Sequence, residues 1–75
     1  MIDELDVVML TTPLPAHGLH VGDRGTVVDV HRGDDAYTVE FTRAGETVAV
    51  TDVHRRDVEV VWHSTGASES LVQHD

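Results

Sequence analysis

The chain has 75 residues, no cysteine, and fourteen acids against five arginines and no lysine, for a formal charge of −9. A single small domain that buries about 60–65% of its unfolded surface excludes a deep substrate cavity. The missing cysteine excludes a disulfide framework, a thiolate zinc site and a cysteine nucleophile.

In chain order, residues 6–10 (Asp-Val-Val-Met-Leu) are continuously apolar after the first, as in a strand buried on both faces or bent across a barrel. Residues 11–23 carry two prolines and two glycines, so no regular element is expected there. Residues 25–31 place Thr26, Val28 and Val30 on one face and Val27, Asp29 and His31 on the other. The first face is predicted to turn inward. Turn chemistry at 32–35 leads into residues 37–42, which alternate strictly, and the turn at 43–46 leads into 47–51, which alternate again. Residues 52–57 suit one turn of 3-10 helix, and 58–62 form the closing strand.

These elements predict an all-β fold class: a small SH3-like five-stranded barrel with a 3-10 turn before the last strand. Closure leaves few exposed edges and lets about 60 residues enclose one core. The alternative, an OB-type barrel, asks for a longer chain and a full helix. The predicted core is Val7, Met9, Val28, Val30, Tyr37, Val39, Phe41, Val48, Val50, Val58 and Val60. Residues 1–62 form the domain, and the serine-rich text from His63 reads as a disordered tail over 63–75.

Chemistry-bearing residues are few. His17 and His20 stand three apart in the long loop, but a zinc site asks for three or four ligands, so neither a metal nor a cofactor is expected. All three serines, Ser64, Ser68 and Ser70, fall in the tail, so no catalytic residue is assigned. Gly22-Asp23-Arg24-Gly25 precedes a strand, whereas a phosphate cradle precedes a helix.

Leu5-Asp6-Val7-Val8, then Leu14-Pro15-x-His17-Gly18-Leu19-x-x-Gly22-Asp23-x-Gly25-Thr26-Val27-Val28, then Ala36-Tyr37-x-Val39-Glu40-Phe41 together resemble the family catalogued as domain of unknown function 4926. Gly45-x-Thr47-Val48-Ala49 and Arg56-Asp57-Val58 extend the resemblance across about residues 3–62. It implies a small SH3-like β domain and transfers no catalytic or ligand residue. The stretch from Gly22 to Val28 is also similar to the loop of KOW modules, whose basic surroundings this acidic chain lacks.

The function expected is that of a non-catalytic interaction module that binds a protein partner or its own copy. Its candidate contact residues are Leu14, His17, Leu19, Arg24, Val27 and Trp62, on the long loop and the adjoining sheet. Trp62 would act either as an aromatic anchor or as a lid over the barrel end. The acid excess argues against nucleic acid. No run approaches the ~20 apolar residues that span a bilayer, and no basic start with an apolar run marks a signal peptide, so a cytoplasmic setting is expected. The excess of Asp over Glu, with abundant Val and Thr, matches the style of a salt-in halophile or of a high-GC mesophile. Alternative readings are a KOW-like RNA- or ribosome-associated protein and a regulator that binds a metal or small molecule through His17 and His20.

Overall fold

The computed structural model describes residues 2–64. It contains β1 (Val7–Leu10), β2 (Arg24–His31), β3 (Ala36–Arg43), β4 (Glu46–His54) and β5 (Val58–Trp62), with 3-10 turns at Pro15–His17, Arg32–Asp34 and Arg55–Asp57. Every pairing is antiparallel, and the strands form one sheet in the order β4-β3-β2-β1-β5. β4 and β5 are its two edges and do not pair with each other, so the sheet is open among the described residues. The five strands and the 3-10 turn before the last are present as the sequence predicts; closure into a barrel is not.

The hairpins follow from local chemistry. Between β3 and β4 the two turn residues, Ala44 and Gly45, have φ of 50° and 83°. That left-handed pair matches the twist of the flanking strands in a two-residue hairpin. Between β2 and β3 the Arg32–Asp34 turn ends on Asp35 at φ 52°, a conformation that Asp tolerates better than a bulky residue does.

The core lies against one face of the sheet. In register, Tyr37, Val39 and Phe41 of β3 stand opposite Val53, Thr51 and Ala49 of β4, and Val39 stands opposite Val27 of β2. On the far side, Val8 and Leu10 of β1 stand opposite Val60 and Val58 of β5. Ile2 and the loop residue Leu19 complete the buried cluster, where each large side chain contributes about 1.5–3 kcal/mol. At Gly25 a Cβ would come within 2.5 Å of the Val39 side chain and 2.7 Å of the Glu40 carbonyl, so only glycine lets β2 lie this close to β3.

Five of the eleven predicted core residues face the other way. Tyr37, Val39, Phe41 and Val58 are buried as expected, and Val30 and Val60 are partly buried. Val8 and Leu10, rather than Val7 and Met9, point inward on β1, as do Val27 rather than Val28 on β2 and Ala49 and Val53 rather than Val48 and Val50 on β4. Register shifts are the cause on β2 and β4, and a third turns the end of β5. Val28, Val48 and Val61 are the extra residues where pairing jumps between Val27 and Asp29, between Thr47 and Ala49, and between Val60 and Trp62. Each extra residue reverses which sequence parity faces the core, and all three valines are exposed. His63 and Ser64, which the sequence places at the start of the tail, are hydrogen-bonded to Asp6; residues 65–75 of that predicted tail lie outside the described residues.

Candidate functional site

The long β1–β2 loop is tied down at several points. Leu14 and Leu19 exchange backbone hydrogen bonds of 3.0 and 3.1 Å across the Pro15–His17 turn. This closure sends the Leu19 side chain into the core, while Leu14 packs against the core half-buried. Arg43, at the end of β3, donates from Nε and Nη2 to the two oxygens of Asp23 at 3.1 and 2.5 Å, and Nη2 also donates to the Gly18 carbonyl at 2.8 Å. The Arg43 hydrogen bonds, joined by the His20 N–H, hold the Asp23 carboxyl down at about 2. Hydrogen bonding to Asp23 in turn raises the Arg43 guanidinium above its ordinary value. His17 reaches Thr51 of β4 at 3.3 Å, and His20 is exposed. Among the described residues no group of three or more His, Asp or Glu side chains is placed to hold a metal ion.

The face turned away from the core carries a row that crosses all five strands. Trp62 of β5 stands opposite Val7, Val7 opposite Thr26, Thr26 opposite Glu40, and Glu40 opposite Val50 of β4. Directly opposed residues share a face, so the two apolar ends of this row, Trp62 at 47% and Val50 at 58% exposure, look out to the same side as its polar centre. Glu40 there accepts a 2.5 Å hydrogen bond from the Thr47 hydroxyl. Arg24 belongs to the neighbouring row, between Met9 and Thr42.

At the β2–β3–β4 end of the same face, a polar ladder links three strands. The Thr38 hydroxyl donates to Asp52 at 2.6 Å and accepts from the His31 Nε2 at 2.7 Å, because its single proton is committed to the carboxylate. Asp29 and Asp52 flank His31 Nε2 at 3.9 and 3.8 Å. This is a solvated cross-strand network with an imidazole between two carboxylates.

A second carboxylate centre sits where the two ends of the fold meet. Asp6 is buried and accepts from the Asp3 N–H at 3.0 Å, the Ser64 N–H at 2.9 Å, the Ser64 hydroxyl at 3.2 Å and His63 Nδ1 at 3.1 Å. Burial pushes its carboxyl up, but the four donors together outweigh that, and the net direction is down. Serine, histidine and aspartate thus meet in the folded part, which the sequence reading did not foresee. Their order is not that of a nucleophile: His63 Nδ1 faces Asp6, and the single proton of the Ser64 hydroxyl is shared between Asp6 and the Glu4 carbonyl.

Of the residues singled out from the sequence, His17, Arg24 and Trp62 are exposed and Leu14 is half-buried, whereas Leu19 and Val27 are core and have no surface to offer. Trp62 lies beside Val7 on the outer face. Sequence reasoning missed Val7, Thr26, Glu40 and Val50 as its partners in a row, since only strand register brings them side by side. No helix among the described residues is long and apolar enough to cross a membrane. A family model described as a domain of unknown function, DUF4926, matches residues 4–60. No curated protein and no solved structure matches the chain.

Proposed function

The chain belongs to the DUF4926 family, whose description assigns no activity, and from that premise we propose that it is a non-catalytic interaction module whose outer sheet face receives a protein partner. The observation that carries this reading is the row Trp62–Val7–Thr26–Glu40–Val50, with exposed apolar side chains at both ends. Large apolar side chains left exposed beside polar ones mark a contact surface, and Trp is among the side chains that most often dominate one. Asp29, Glu40, Asp52 and Glu59 outnumber Arg24 on this face and make it acidic, as befits a chain of charge −9, so the partner presents a cationic centre flanked by apolar groups. The same charge disfavours the KOW-like, RNA-bound reading. The non-catalytic reading draws support from how the reactive groups are employed: Ser64 and His63 serve Asp6, and Arg43 serves Asp23. We also read the architecture as SH3-like, on the strand order and on the Arg55–Asp57 turn before β5, and place the module in the cytoplasm.

Site-specific photo-crosslinking in the native cell tests the surface. A photoreactive side chain at position 50 or 62 is expected to give discrete protein adducts, and one at Val21, 59% exposed on the loop, is expected to give none. The adduct mass separates a second copy from a different protein. Equal labelling from Val21, or no adducts from either face position, would remove the face from consideration.

A further inference from the structure

We propose that the cleft of about 310 Å3 lined by Ile2, Val30, Arg32, Asp35 and Tyr37 binds a free α-amino acid with an apolar or aromatic side chain. It is independent of the outer face, because Ile2 and Tyr37 belong to the core cluster and Val30 packs against it. The volume is at the lower end of the range for small-ligand sites, and an apolar wall with a few convergent polar groups is their usual composition.

Three polar groups at this cleft, one buried and two exposed, make no hydrogen bond from their side chains to another described residue. Tyr37 is only 8% exposed, yet its phenol makes no hydrogen bond to another described residue, although a buried tyrosine hydroxyl ordinarily has one. No buried side-chain polar atom among the described residues is left both sealed and unpaired, so the phenol keeps an opening, and the cleft is the space that Tyr37 lines. Arg32 meets the Asp3 carboxylate only at 3.8 Å, beyond hydrogen-bond reach, which leaves its donor fork unengaged by any described residue. The Asp35 carboxylate likewise accepts no hydrogen bond from a described residue, while its backbone carbonyl accepts the Arg55 N–H at 3.1 Å and holds this lip in place.

Arg32 and Asp35 line the same cleft three residues apart and do not pair with each other. A ligand that satisfies both carries a carboxylate and an ammonium close together. The planar guanidinium takes the carboxylate on two donors, the Asp35 carboxylate takes the ammonium, and the ligand side chain lies over Ile2, Val30 and the Tyr37 ring. A dianion would be repelled by Asp35 and a simple amine by Arg32. A peptide terminus offers only one of the two charges, which singles out the free amino acid.

The test is a titration of the 15N-labelled chain, followed by NMR, with L-phenylalanine, N-acetyl-L-phenylalanine and L-phenylalanine amide at low ionic strength. Saturable shifts confined to residues around Val30, Arg32 and Tyr37 are expected for L-phenylalanine, with a dissociation constant on the order of 1 mM. The acetylated and amidated forms should each bind at least tenfold more weakly, and Arg32→Gln and Asp35→Asn should each weaken L-phenylalanine by a similar factor. Both variants replace exposed side chains, and retained spectral dispersion checks their fold. Absence of saturation, equal binding of either blocked form, or unchanged affinity in Arg32→Gln would overturn the assignment.

Discussion

Gly25 and Asp6 show how much of this fold rests on single atoms. A methyl group at position 25 would overlap both the Val39 side chain and the Glu40 carbonyl, and the carbonyl belongs to the β2–β3 ladder and cannot swing aside. Gly25→Ala is therefore expected to cost about 1–3 kcal/mol through overpacking, read as a lowered midpoint in urea with an unchanged slope; an unchanged midpoint would show that the two strands can separate freely. Asp6 is a buried acceptor for donors from both ends of the fold. Asp6→Asn replaces one accepting oxygen by a donor that faces other donors, so a loss of about 2–3 kcal/mol is expected. The folded pKa of Asp6 lies below its ordinary 3.8, so the unfolded chain binds the proton more readily. Its contribution is complete above about pH 4 and is lost as the pH falls through the folded value. Acid unfolding monitored by circular dichroism should accordingly be shallower in Asp6→Asn than in the parent chain.

Turns and clamps decide how the strands are held. The β3–β4 turn places Ala44 at φ 50° beside Gly45 at φ 83°, and a two-residue hairpin of this hand prefers Asn-Gly. Ala44→Asn is expected to raise stability by about 0.5–1 kcal/mol, since Asn tolerates the left-handed region at less cost than Ala; a fall in melting temperature would refute the turn assignment. The long loop depends on Arg43, which grips Asp23 and Gly18 from the end of β3. Asp23 drops from 3.8 to about 2 on folding, so its contribution is present above about pH 4 and fades as the pH falls towards 2. In Arg43→Ala the loop amides from Ala16 to Asp23 should exchange with solvent faster at pH 7. The difference between variant and parent should shrink as the pH approaches 2, where the parent loses the same clamp; a constant difference across that range would show that Arg43 acts through packing alone.

Across the whole molecule the net charge of −9 governs the response to salt. Repulsion among the excess carboxylates is spread over the surface, whereas attraction is confined to a few pairs such as Arg43 with Asp23 and Arg32 with Asp3. The Debye length shortens from ~10 Å at 0.1 M to ~3 Å at 1 M salt, which removes long-range repulsion before it removes contact pairs. The melting temperature is therefore expected to rise between 0.1 and 1 M NaCl, and a flat or falling profile would mean that the few pairs outweigh the many repulsions. The sequence by itself determined the number of strands, their approximate bounds, the hairpin turns and the 3-10 turn before β5, because alternation, glycine placement and β-branching are local properties of the chain. It left the inward face undecided, since a period of two offers two faces and runs such as Val7–Val8 and Val27–Val28 fill both with apolar groups. Only the tertiary structure chose between them: packing turned Val8 and Leu10 of β1 inward, and the register shifts at Val28 and Val48 set which parity meets the core on β2 and β4, while the one at Val61 turned Trp62 outward. The same choice aligned Trp62, Val7 and Val50 on the outer face, buried Leu19 and Val27, and joined Ser64 to Asp6 across 58 residues, a contact whose partners no local pattern connects.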